Sequence, residues 1–107
     1  MSKRQAQKYI ENITNQLIEK YDPEKIILFG SFAYGRPKEN SDIDLMVIKK
    51  TNETFGQRLR KMANTVINVP IDRDIIVYNP REWQRALRQK NPFIAEIDKK
   101  GKILYDK

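Results

Sequence analysis

The sequence contains neither cysteine nor histidine. Those two absences remove disulfides, thiolate and imidazole zinc sites, thiol nucleophiles and every Ser-His or Cys-His catalytic pairing. Any chemistry must rest on carboxylates, hydroxyls, lysine or arginine. Long apolar runs are missing too. No segment approaches the roughly 20 residues of a membrane-spanning helix, and the basic N-terminus MSKRQAQKYIENITN lacks the apolar core of a secretion signal. A cytoplasmic protein without membrane association is expected. Four glycines and five prolines are too few for a collagen-like or low-complexity chain. Acidic residues are in the minority, 14 against 21 basic, which leaves a net charge of +7. That excess suits an anionic partner but specifies none, because a cationic surface also serves solubility.

What is present reads as one folded unit spanning 1–107. A chain of 107 residues that is 39% hydrophobic buries roughly 65% of its unfolded surface, enough for one sheet and a few helices. Tyr9, Ile10, Ile13, Leu17 and Ile18 recur at three- and four-residue spacing and predict an amphipathic helix over 6–20. Asp22-Pro23 breaks it, and the apolar run from Lys25 to Gly30 reads as a strand covered on both faces. Residues 31–41 read as a short helical turn and a loop, and 42–49 as a second strand. Phe55, Leu59, Met62, Ala63, Val66 and Ile67 predict a second long helix that Pro70 closes, followed by a strand over 71–78. Asn79-Pro80 with Glu82 is a strong helix start: an N-cap residue, proline at the first position and glutamate at the third. That helix runs to about Arg88. Phe93, Ile94 and Ile97 suggest a last short helix, and 102–106 an edge strand after Gly101. The order α-β-α-β-α-β-α-α-β makes an α/β fold, a small mixed sheet flanked by helices.

The unusual segment is Gly30-Ser31 followed, after ten intervening residues (32–41), by Asp42-Ile43-Asp44. Aspartate is depleted in strands, yet two here stand at i and i+2 at the head of an apolar strand, where the pleat puts both on one face. At about 3.3 Å per residue their Cα atoms lie about 6.6 Å apart, so both carboxylates can converge on one or two hard cations. Gly30-Ser31 sits at a strand-to-helix junction, where free N–H groups and a helix start attract anions and glycine permits close approach. Each residue has a plainer reading: Gly30 as a turn, Ser31 as an N-cap, Ser41 and Asp42 as loop. Asp44, inside an apolar run, has no structural reason to be charged. The combination points to a metal-nucleotide site, and phosphoryl chemistry with two metals calls for a third carboxylate. Asp72 and Asp74 both qualify by position, and Asp74 is preferred because it heads Ile75-Ile76-Val77 as Asp44 heads its own strand.

Gly30-Ser31, ten residues, then Asp42-x-Asp44 resembles the signature of the DNA polymerase β-like nucleotidyltransferase superfamily. Nearly the whole chain is similar to its smallest members, the minimal nucleotidyltransferases found with HEPN-domain proteins: ILFGS, SDIDLMV, DIIVYNPREW and GKILY all take part. The resemblance implies that Gly30 and Ser31 hold a triphosphate, that Asp42 and Asp44 bind two magnesium ions, and that Asp74 completes the triad. One departure is Tyr34, where many relatives carry arginine. Phosphate neutralisation is then expected from Arg36, Lys38 or a partner, with Ser41 also at the nucleotide.

The resemblance further implies transfer of AMP from ATP to a hydroxyl, a tyrosine of a HEPN-domain toxin, with this chain as its antitoxin. A chain with room for one domain is expected to take its acceptor from elsewhere. Two other classes stay open: an antitoxin that neutralises by binding alone, and a basic RNA-binding module, which needs neither Asp44 nor Asp74. Nucleic acid is not the favoured partner, and homo-oligomer formation is left open. Arg81, Arg85 and Arg88 share a helix face that is either solvated or a docking surface.

Overall fold

The computed structural model describes residues 1–38 and 40–107. Helix α1 (Lys3–Tyr21) begins where the Ser2 side chain accepts from the Gln5 N–H, and ends at Asp22 in the left-handed region, φ 50°. Its inward face is Ala6, Ile10, Ile13, Leu17 and Tyr21, so the three- and four-residue spacing finds its core. Strand β1 (Lys25–Phe29) follows, then a three-residue 3-10 turn (Gly30–Phe32) and β2 (Ile43–Ile48). Next come α2 (Phe55–Thr65), β3 (Arg73–Tyr78), α3 (Pro80–Arg88), α4 (Pro92–Lys100) and β4 (Lys102–Asp106).

The strands form one mixed sheet in the order β3-β2-β1-β4, with β1 antiparallel to β2 and β4, and β2 parallel to β3. Alternation along the strands divides the core. Ile26, Leu28, Ile43, Leu45, Val47, Ile75 and Val77 face α1 and α2. Ile27, Phe29, Met46 and Ile48 face Trp83 and Ala86 of α3 and Ile94 and Ile97 of α4. Both faces of β1 and β2 are thus covered, which is why those strands read as unbroken apolar runs.

The α3 start forms as its residues require: Glu82 N–H donates to Asn79 Oδ1 at 2.8 Å and Asn79 N–H donates to Glu82 Oε1 at 2.7 Å. Two expectations need correction. Helix α2 stops at Thr65, short of Ile67, and Val66 is extended. Phe55 (60% exposed) and Leu59 (46%) point to solvent, while Arg58 (6%) is buried. Burial of an arginine is possible because its guanidinium is satisfied: Nε donates to Glu53 O, and Nη1 to Val77 O and to Glu82 Oε1 at 2.6 Å. The third strand starts at Arg73, two residues later than expected, since Asn68 takes a left-handed φ of 59° and Ile71 N–H closes a turn onto Val69 O. Asp72 therefore precedes the strand. Among the described residues no helix is long and apolar enough to cross a membrane.

Candidate active site

Antiparallel β1 and parallel β3 bring three chain segments to one edge of the sheet: the C-terminal end of β1 and the N-terminal ends of β2 and β3. There Asp44 lies opposite Phe29 on β1 and directly beside Asp74 on β3. Neighbouring strands are about 4.8 Å apart, so the two carboxylates stand side by side. By alternation both point to the face that carries α3 and α4, beyond the apolar boundary where the Phe29 ring meets Phe93 edge-on at 5.5 Å. Asp44 is half-buried, and Asp42 and Asp74 are exposed.

Burial, then the charges of Asp74 and Asp42, push the Asp44 carboxyl above the usual carboxylate range. Asp72 is not among those influences, so of the two candidates it is Asp74 whose charge reaches Asp44. Among the described residues none of Asp42, Asp44 and Asp74 has an ion pair or a side-chain hydrogen bond. Their oxygens are uncommitted and their charges uncompensated, a donor set that suits a hard divalent cation. Among the described residues no three acidic side chains are grouped closely enough to share one ion.

Gly30 has φ 75°, and a Cβ placed there would clash with Oδ2 of Asp44 and lie 3.1 Å from its Cγ. Glycine is thus required twice, by the left-handed backbone and by the carboxylate resting on its Cα. Where the sequence pointed to phosphate approach at Gly30, the structure adds Asp44 as its neighbour. Ser31 is half-buried in the 3-10 turn, whose Ala33 and Tyr34 N–H groups both donate to Gly30 O. Gly35 folds back over it, since a Cβ on Gly35 would stand 2.7 Å from Ser31 Cα. With only three residues the turn has no macrodipole to speak of, so the expected pull of a helix start on anions reduces to local N–H groups.

The remaining residues lie further out. Ser41 closes a turn: its N–H donates to Lys38 O at 3.0 Å and its Oγ accepts from Lys38 N–H at 2.7 Å. Arg36 is exposed on the loop, and Tyr34 carries Lys100 over its ring at 5.9 Å. Arg81, Arg85 and Arg88 border a shallow depression of about 470 Å³, opposite the buried Trp83 and Ala86. Sequence reasoning did not single out Lys3, Arg4, Lys8 and Lys102, which line one cleft together with Ser31. No local signal could have found them.

The family model described as Polymerase beta, Nucleotidyltransferase matches residues 11–107. The chain belongs to that family. Three curated proteins of Methanocaldococcus jannaschii are similar to this nucleotidyltransferase along most of their length, and each carries the name "putative protein adenylyltransferase". One is 31% identical and covers 94% of the chain and 75% of its own length. The second is 29% identical with 85% and 86% covered, and the third 28% with 92% and 97%. A crystal structure of a "putative nucleotidyltransferase" from Sulfolobus solfataricus superposes with a TM-score of 0.58 at 23% identity, over 73% of this chain and 70% of that one. That likeness bears on the fold. In this chain the mixed four-stranded sheet brings a Gly-Ser turn and two aspartates, Asp44 and Asp74, to one end of the sheet.

Proposed function

We propose that this nucleotidyltransferase is magnesium-dependent and moves AMP from ATP onto a hydroxyl of a protein partner, a tyrosine of a HEPN-domain toxin, so acting as its antitoxin. The observation that carries the reading is the register pairing of Asp44 with Asp74 beside the Gly30–Ser31 turn. The names of the Methanocaldococcus relatives support AMP and a protein acceptor. The HEPN partner rests on the resemblance of the sequence to minimal nucleotidyltransferases.

In the reaction the acceptor oxygen forms a bond to the α-phosphorus, the α–β phosphoanhydride breaks and pyrophosphate leaves. Asp42, Asp44 and Asp74 would hold magnesium, which when bound supplies charge neutralisation at the phosphates and polarises the attacking hydroxyl. Ser31 orients the phosphates through its hydroxyl and the turn around it. Asp74, exposed at the sheet edge, takes the acceptor proton on a carboxylate oxygen. Asp44, seated on Gly30, is the fixed member of the set, because its backbone is locked between β1 and β3.

The test is mass spectrometry of a HEPN-domain protein from the same genome after incubation with this chain, ATP and magnesium. The partner should gain the mass of one or more AMP groups with substoichiometric enzyme, and Asp42→Asn should abolish the gain. Asp74→Asn should be as damaging and Asp72→Asn mild. Neutralisation that ignores ATP and needs equal amounts of the chain overturns transfer in favour of masking.

A further inference from the structure

Strand β3 lies at the edge of the sheet, where only β2 pairs with it. Ile43 N–H donates to Asp72 O and Lys49 N–H donates to Tyr78 O, each at 3.0 Å. Successive residues of a strand turn their backbone groups to opposite sides, so Arg73, Ile75 and Val77 turn theirs away from β2. Val77 O is already taken. Arg58 Nη1 donates to it at 3.2 Å and reaches on to Glu82 of α3, which shuts the C-terminal end of the edge. Among the described residues no hydrogen bond engages the outward N–H and C=O of Arg73 or Ile75. The open end of the edge is the end that carries Asp74.

An open strand edge pairs with another extended chain. Alternation then decides what that chain presents. A residue seated beside Asp74 puts its side chain on the Asp74 face, whereas its two neighbours, beside Arg73 and Ile75, put theirs on the α2 face. That second face holds a groove of about 360 Å³ walled by Leu59, Met62 and Ala63 of α2 with Ile71 and Ile75, and Asp74 borders it. Leu59 is exposed there, and Phe55 stands exposed one turn before it, an apolar stripe that the chain's own core leaves uncovered.

We infer that the open half of the β3 edge docks the acceptor protein as an added strand, an extended segment whose tyrosine lies beside Asp74 and whose two flanking residues are apolar and enter the groove beside α2. This rests on the function proposed above. The edge and the carboxylate are continuous, so a segment seated in this register carries its hydroxyl to the group that takes the proton. Arg58 leaves only the stretch from Arg73 to Ile75 free, which fits a short segment around one side chain rather than the full strand pairing of two copies. Leu59 and Ala63 are thus positioning residues that select the acceptor's neighbours without touching the reacting atoms.

The experiment uses the full chain and two capped peptides of equal composition, Lys-Thr-Leu-Tyr-Leu-Thr-Lys and Lys-Leu-Thr-Tyr-Thr-Leu-Lys. Only the first sets leucines on the face opposite its tyrosine next to it in sequence. In EDTA without ATP, the first peptide at millimolar concentration should slow hydrogen exchange of the Arg73 and Ile75 amides by NMR. Leu59→Gln/Ala63→Gln, two exposed positions, should need about tenfold more peptide, the scale of one buried apolar side chain. Ile103→Gln, an equally exposed apolar position on the opposite edge strand β4, should behave as wild type. With ATP and magnesium, the first peptide should gain AMP at least about tenfold faster than the second. For the HEPN-domain protein, the Leu59→Gln/Ala63→Gln variant should raise the acceptor KM about tenfold with little change in kcat. The peptide pair repeats the test on unaltered protein should that variant fold poorly. No slowing at Ile75, slowing on β4 instead, or a wild-type self-association that the Leu59→Gln/Ala63→Gln variant abolishes overturns the assignment. The two readings fail separately. Slowed exchange at Ile75 without AMP transfer to any acceptor sinks the proposed function alone, and transfer to the HEPN-domain protein with an unchanged acceptor KM in the variant sinks the docking edge alone.

Discussion

Replacing Gly30 with alanine puts two separable strains on the same atom. The first is conformational: φ 75° is a left-handed backbone that costs an L-residue about 1–2 kcal/mol. The second is steric, because the new methyl group would clash with Oδ2 of Asp44. Asp44 must leave its rotamer, at about 0.5–1.5 kcal/mol. Together they amount to about 1.5–3.5 kcal/mol, or a fall in Tm of roughly 6–28 °C for a domain of this size. Urea unfolding of Gly30→Ala, Asp44→Ala and the double variant separates the terms. In the Asp44→Ala background only the backbone cost should remain, since the Asp44 Cβ stands 3.3 Å from the new methyl carbon and yields by tenths of an ångström. A coupling of about 1 kcal/mol is expected from the rotamer cost. Equal losses in both backgrounds would show that the carboxylate does not rest on Gly30, and a loss below about 1 kcal/mol would refute the left-handed backbone.

Asp44→Asn should abolish AMP transfer and raise stability at neutral pH. Burial and the Asp74 and Asp42 charges raise the folded pKa, so stability falls as pH rises from the unfolded to the folded value, and the cost persists above it; the gain should vanish in acid, as read by urea midpoints across pH. Burial raises the Glu82 pKa, but the Asn79 N–H and Arg58 outweigh it and hold the carboxyl low. Its stabilisation is therefore full at neutral pH and lost as pH falls through that lowered value, so wild type and Glu82→Gln should converge there in thermal melts. Arg58→Ala should cost about 2–3 kcal/mol by urea unfolding, below the range for a fully buried pair, because the Glu82 side chain is 44% exposed. ATP should raise Tm by scanning fluorimetry more with magnesium than with EDTA; equal rises would remove the carboxylates from the nucleotide site.

Much of the fold was legible because its local devices are self-contained. The Asn79-Pro80-Glu82 start needs only its own four residues, and the apolar runs of β1 and β2 announce strands covered on both faces. The long helix over 55–67 misled because Phe55 and Leu59 match helical spacing yet stand in solvent, while the inward position at Arg58 looks like surface. Periodicity reports which residues share a face, not whether anything covers it. The choice between Asp72 and Asp74 was likewise ambiguous, since alternation treats i and i+2 alike.

Three things follow from the order of residues alone: the order of the elements, the i and i+2 aspartates at the heads of two strands, of which Asp42 and Asp72 fall just before β2 and β3, and the exclusion of any cysteine or histidine chemistry. These depend on backbone period and side-chain type, which are local properties. Three others needed the folded chain: Asp74 beside Asp44, the Asp44 carboxylate resting on Gly30, and Lys3, Arg4 and Lys102 lining one cleft with Ser31. Each of those is a contact between segments far apart in the chain, set by strand order and register, and register is an outcome of how the two cores pack against the sheet.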